Sequence, residues 1–255
     1  MATRKKTKAR AGSARKTASG SALPALLSDL AAANRILARQ GVLDGYGHVS
    51  ARHPSDPGHY FLSRSRAPQL VTPADLMEFD LDSNALNGDE RAPYLERFIH
   101  GQIYRARPDV MAVVHSHSPA VIPFACSNIR LRPIYHMSAF LAAGAPVFDI
   151  RKRFGMTDML VRNNDHGTAL AQALGDGGTA LMRGHGFVAV GNTLPIAVYR
   201  AIYTQTNAAL QQNAIALGGE VVYLDPEEAA RYEPVGESTV GRPWELWKKS
   251  VTSGE

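Results

Sequence analysis

The sequence predicts an α/β protein in which helices pack on a single mixed sheet. Three observations carry this expectation: helix-periodic and strand-alternating segments interleave, hairpin-like strand pairs occur within that order, and no repeat or linker interrupts residues 21–255. Ser21 is placed to cap a first helix, with Pro24 in its first turn, the stripe Leu26, Leu27, Leu30, Ala33 and Leu37, and Gly41 as its end. "GYGHVSARHP" and "GHYFLSR" read as two strands joined by a Pro/Asp/Gly turn, and "LMEFDLD" alternates as a third. A helix near 93–106 carries Tyr94, Phe98, Ile99, Ile103 and Tyr104. "VMAVVHSH" is a strand, "SPAVIPFACS" opens a helix, "APVFDI" is a short strand, and "GTALAQALGD" is a helix ended by glycine. "TALMRGHGFVAVG" reads as two strands broken by glycines, followed by a long helix over 193–218. "VVYLDPEEAARYEP" adds a strand and a short helix.

Composition narrows the function classes. The net charge of +5 comes from one end: residues 1–20 hold seven of the 28 Lys/Arg and no acid, leaving 21 basic against 23 acidic residues in the rest. Residues 1–20 are therefore expected to be a disordered basic tail, and residues 21–255 one domain. The tail has no apolar core of the kind a secretory signal needs, though an Arg-rich, acid-free leader also has the composition of an organelle transit peptide. No apolar run approaches the roughly 18 residues of a membrane span, so no membrane partner is expected. Nucleic acid is not an expected partner either, because the basic excess lies outside the folded part. One cysteine, Cys126, excludes an internal disulfide framework, and its expected role is that of a small buried residue. A reducing, cytoplasmic location is expected.

Two histidine motifs suggest a metal. In "VVHSHS", His115 and His117 are two apart, and on a strand such residues face the same side. In "RGHG", His185 stands between two glycines that permit close backbone approach. Alone, the first motif is equally a polar strand end with two surface histidines, and a histidine placed like His185 is more often a loop residue than a ligand. Together they supply three neutral nitrogen donors, the arrangement of a catalytic metal with an open position. Neutral ligands also leave the ion its full charge as a Lewis acid.

The ordered set "GHVSAR", "VTPADLMEFDLD", "RPDVMAVVHSHS" and "LMRGHGFVAVG" resembles the class II aldolase/adducin family over roughly residues 23–220. The resemblance implies an α/β/α sandwich with a central, mainly antiparallel sheet, assembled as a homotetramer with one divalent ion per subunit. Manganese or zinc are the first choices, with iron or cobalt also compatible. His115, His117 and His185 match the family's metal histidines. Glu96, which local sequence alone would leave on a solvated helix face, matches its acid/base or additional ligand. "GHVS" matches a loop that carries asparagine in sugar-phosphate aldolases where this chain has His48; Ser50 and Arg52 stand near it. Where those aldolases clamp phosphate with serines, this chain has Arg64 and Arg66, which singly are ordinary surface charges but which suit bidentate carboxylate recognition.

With "RPIYHMSAF" and "DMLVRNN", these departures are similar to the family's aromatic-acid decarboxylases, of the hydroxymethylpyridine-dicarboxylate and dihydroxyphthalate kind. Tyr135, His136 and Phe140 would then form an aromatic wall, although helix-start packing explains Tyr135 and Phe140 equally well. The implied activity is a carbon–carbon lyase: decarboxylation of a hydroxylated aromatic or heteroaromatic (di)carboxylate through an enolate-like intermediate. His48, His136 or Glu96 would return the proton. Aldol cleavage of a sugar phosphate or hydroxy-keto acid is the alternative, since both reactions leave an electron pair on carbon that a bound cation can delocalise. An adducin-like interaction domain and a non-haem iron oxygenase are readings of other classes.

Overall fold

The computed structural model describes residues 14–252; residues 1–13, with most of the basic tail, lie outside them. In chain order the elements are helix α1 (Ala14–Arg39), strands β1 (His48–Arg52), β2 (His59–Ser63) and β3 (Leu76–Asp80), helix α2 (Phe98–Ala106), strand β4 (Ala112–Ser116), and the single turn α3 (Ile122–Ala125). Strand β5 (Val147–Phe148) and the short α4 (Arg151–Phe154) precede helix α5 (Asn164–Leu174). Strands β6 (Thr179–Met182) and β7 (Gly186–Gly191) then lead to helices α6 (Leu194–Ala216), α7 (Pro226–Thr239) and α8 (Gly241–Thr252).

The strands form one sheet in the order β3-β2-β1-β4-β7-β6-β5. Every described pairing is antiparallel except β5 with β6. Alternation sorts the two faces. From β4, Ala112 and Val114 join the apolar cluster built with α1, α6 and α8, while Val113 joins the cluster built with α2 and α5. Leu30, Ile36 and Leu37 of α1 and Ile99 and Ile103 of α2 are fully buried, each stabilising the fold by about 2 kcal/mol through apolar area removed from water. Sheet between helix layers is the α/β/α sandwich the sequence predicts.

Four local expectations are corrected. Helix α1 begins at Ala14, so Ser21 and Pro24 lie inside the helix rather than at its start; Gly41, at φ +68°, does follow its end. Residues 221–224 form no strand: Val222 is exposed, and the segment meets residues 132–133 through the backbone bond Leu224 N–H to Pro133 O, with the Arg132 guanidinium 3.9 Å from the Tyr223 ring centroid. Helix α8 has no counterpart among the elements the sequence predicts; it buries Trp247 and ties Lys248 Nζ to Asp29 Oδ1 at 2.5 Å. Cys126 is exposed rather than buried, and its Sγ accepts the Gly184 N–H at 3.2 Å.

Among the residues of α1 whose side chains are described, Leu23, Leu26 and Leu27 pack against the core. Deleting residues 1–20 is therefore expected to leave turnover and melting temperature unchanged. A drop of more than about 4 °C, the equivalent of 1 kcal/mol or more at this size, would show that the tail docks on the fold.

Candidate active site

Three elements converge at one end of the sheet. His115 lies within the buried run of β4, and the β1–β4 register sets His48 directly opposite it. His117 lies just beyond β4, and His185 sits in the β6–β7 turn. Gly186 makes this convergence possible: a Cβ there would lie 1.9 Å from Ser116 O and 3.0 Å from His117 Cα, so only glycine lets the turn lie against the His115–His117 segment. Glu96 is buried in the turn before α2, not on the helix itself as the sequence analysis had it.

The donor atoms of Glu96, His115, His117 and His185 all lie within 4.8 Å of one another. His117 Nε2 is 3.0 Å from His115 Nε2 and 3.1 Å from His185 Nε2. Glu96 Oε2 is 3.6 Å from His115 Nε2 and 3.2 Å from His185 Nε2. Two tautomers are set by backbone carbonyls, which only accept: His115 Nδ1–H donates to Phe187 O and His185 Nδ1–H to Met159 O, each at 3.1 Å. In their neutral forms both Nε2 atoms therefore present lone pairs to the centre. A neutral His117 can offer its single N–H to one of them at most, and the carboxylate adds acceptors only. Four converging acceptors fit a cation, and the backbone bonds behind the imidazoles are the outer support that metal-binding histidines use.

The electrostatics agree. Burial lowers His117 to about 4, reinforced by His115 and His185, which keeps it a neutral ligand. Burial would lower His185 as well, but its contacts with Glu96 outweigh it and raise it overall. Burial likewise opposes ionisation of Glu96, yet the adjacent His115 and His185 imidazoles hold its carboxyl far below the usual carboxylate range. Glu96 Oε1 accepts the Val161 N–H at 2.9 Å, which fixes the side chain. Glutamine can keep that bond while removing the negative charge. Glu96→Gln is thus expected to fold normally and lose most turnover, at least about 100-fold, measured beside a melting curve; near-normal turnover would return Glu96 to a structural role.

A cavity of about 330 Å3 opens beside the cluster. Its lining includes Tyr46, His48, Arg66, Tyr94, Glu96 and His117. The other residues singled out from the sequence fall elsewhere. Ser50 is fully buried, hydrogen-bonded to His100 Nδ1 at 2.6 Å and Tyr104 OH at 2.7 Å, so it cannot touch a ligand in the cavity. Arg52 spends its guanidinium on the carbonyls of Pro57, Tyr104, Arg107 and Val110. Arg64 does not line the cavity; its Nε donates to Asp75 Oδ1 at 2.7 Å. Arg66 shares that oxygen at 3.0 Å, but it does line the cavity, and its buried Nε has no partner. His136 and Phe140 line a separate small crevice with Tyr199 and Tyr232, and Tyr135 packs toward Tyr203, so none of the three forms a wall of this cavity within the chain. His100, overlooked in the sequence, is buried with its Nε2 2.7 Å from His48 Nδ1; burial lowers it to about 3.

This site and fold define a family. Residues 28–212 match the Class II Aldolase and Adducin N-terminal domain, and the chain belongs to that family. Within it, the chain resembles the aromatic-acid decarboxylase branch. It is 39% identical over 242 residues to Decarboxylase tropJ of Talaromyces stipitatus, covering 86% of this chain and 91% of the relative. It is 32% identical over 227 residues to the 3,4-dihydroxyphthalate decarboxylase of Arthrobacter keyseri, covering 82% of this chain and 86% of the relative. Among solved structures it is similar to L-fuculose 1-phosphate aldolase from Glaciozyma antarctica, with a TM-score of 0.76, 25% identity and 92% of each chain covered. Among the described residues no helix is long and apolar enough to cross a membrane.

Proposed function

We propose that this protein is a divalent-metal-dependent decarboxylase of a hydroxylated aromatic or heteroaromatic (di)carboxylate, holding manganese or zinc and working as a homotetramer. The observation that carries the reading is the cavity itself. A His/Glu cluster with converging lone pairs adjoins one side, Arg66 lines the cavity with a guanidinium held by Asp75, and Tyr46 and Tyr94 add ring surface. Its volume of about 330 Å3 suits a small ring compound rather than a polymer. The decarboxylases among the relatives support the same reaction class.

The bound ion would supply electrophilic stabilisation of the charge that develops on an ortho-hydroxyl oxygen as the carboxylate departs. Glu96, His115, His117 and His185 would hold it. Arg66 would bind a carboxylate that is retained. The ring carbon–carboxylate bond breaks, its electron pair stays with the ring, carbon dioxide leaves, and the carbon takes up a proton. Of the three residues the sequence offers for that proton, His136 does not line this cavity, and Glu96 already accepts the Val161 N–H beside two imidazoles; His48 does line it. Arg66→Ala is expected to raise KM at least tenfold with metal content unchanged, since a charged hydrogen bond is worth about 1.5–3 kcal/mol. An unchanged KM would remove Arg66 from recognition.

Aldol cleavage of a sugar phosphate is the second reading, favoured by the structural likeness to the fuculose-phosphate aldolase. A screen of hydroxylated aromatic diacids for carbon dioxide release, with each divalent metal returned to stripped protein, separates the two when phosphorylated sugars are run beside them. Release from an ortho-hydroxy acid supports the decarboxylase. Cleavage of sugars with no release from any such acid overturns it.

A further inference from the structure

Behind His48 runs a closed line of buried polar groups that the metal chemistry leaves unused. His48 Nδ1 is 2.7 Å from His100 Nε2, His100 Nδ1 is 2.6 Å from Ser50 Oγ, and Ser50 Oγ is 2.7 Å from Tyr104 OH. All four side chains are buried, with His100 and Ser50 fully so. Among the described residues, Ser50 Oγ is the one side-chain partner within hydrogen-bond distance of the Tyr104 hydroxyl.

Polarity then propagates in one direction. The buried Tyr104 hydroxyl needs an acceptor for its proton, and Ser50 Oγ is the partner present. Ser50 donates onward to His100 Nδ1. A neutral His100 then carries its proton on Nε2 and donates to His48 Nδ1. The proton of a neutral His48 is thereby left on Nε2. The reverse order would leave the Tyr104 O–H without an acceptor in the core, at the cost of a buried unsatisfied donor. His48 Nε2 has no protein partner among the described residues, it is not among their sealed, unpartnered atoms, and His48 lines the cavity. The line ends on the buried Tyr104 hydroxyl, so it is not a conduit to solvent.

We propose that Tyr104, Ser50 and His100 lock His48 as a fixed N–H donor facing the cavity, where it binds an anionic oxygen of the substrate. His48 on this account is a specificity residue and the other three are positioning residues. The donor selects for a carboxylate or phenolate oxygen and against a ligand group that only donates. It also lies on the His115 side of the cavity, with ring centroids 5.1 Å apart, so the oxygen it holds is one adjacent to the metal cluster. The identity of the ligand rests on the decarboxylase reading, but the tautomer does not.

The test is imidazole 15N NMR of the zinc-loaded full chain, paired with calorimetric binding of salicylate as an ortho-hydroxy aromatic acid. The expected spectrum shows His48 protonated on Nε2 alone. Ser50→Ala, a mild change in the core, is expected to mix the His48 tautomers and weaken salicylate about tenfold with zinc content unchanged. His48→Gln, which keeps an N–H near the Nε2 position, is expected to bind within a few-fold of the wild type, whereas His48→Ala is not. A His48 protonated on Nδ1, or Ser50→Ala binding salicylate as tightly as the wild type, overturns the lock whatever reaction the enzyme performs. The locked tautomer together with failure of every acid in the carbon dioxide screen would leave the lock standing and defeat only the decarboxylase reading.

Discussion

Replacing His115 by alanine is expected to abolish metal binding and turnover together. His115 is fully buried, its Nδ1–H is fixed by Phe187 O, and its Nε2 stands 3.0 Å from that of His117. No other described donor belongs to this cluster besides Glu96, His117 and His185, so nothing replaces the lost lone pair. Loss of outer partners of metal ligands costs about 10–100-fold in affinity or activity, and loss of a ligand should exceed that. The same holds for His117→Ala and His185→Ala. Metal analysis of the purified variants, beside a circular dichroism melt to verify folding, checks it. Full metal occupancy in all three variants would end the three-histidine assignment.

Gly186→Ala is expected to be the most damaging single methyl group at the site. The added Cβ would lie 1.9 Å from Ser116 O, 2.9 Å from Ser116 C and 3.0 Å from His117 Cα. All three atoms are backbone, so no side chain can rotate away. Strands β4 and β7 must separate where they pair Ser116 with Phe187. Overpacking of this kind costs about 3 kcal/mol or more, equivalent to a fall of about 6–12 °C in melting temperature at this chain length. Because the same displacement moves His117 away from His185, metal affinity should fall as well. A variant that melts within about 2 °C of the wild type would mean that the turn has room the structure does not show.

The fold and the approach of the three histidines to one another were largely legible because both rest on local patterns. The apolar run ending in His115 and His117 marks a strand, and glycines on both sides of His185 mark a tight approach. What stayed hidden depends on register and on distant partners. His48 faces His115 only because β1 pairs with β4 in that register, which no local pattern states. His100 did leave a signal: it lies one helical turn from Glu96 and from Tyr104 on the stripe that includes buried Ile99 and Ile103, and a polar residue within an apolar stripe requires partners. Arg64 and Arg66 read as ligand-binding cations because Asp75, which takes both, is on the far side of the loop between β2 and β3. Tyr135 and His136 read as a wall of the site because their aromatic character is local information, whereas their position, against Tyr203 and Tyr232, is not.

The account joins one metal to one reaction, and a titration tests both at once. Chelator-stripped protein is taken through increasing manganese or zinc while bound metal and carbon dioxide release from an ortho-hydroxy aromatic diacid are measured on the same samples. The account predicts release that is absent without metal, rises linearly, and saturates at one ion per chain. Release that persists in the stripped protein, or metal that binds at one per chain and yields no carbon dioxide while phosphorylated sugars are cleaved, would contradict it.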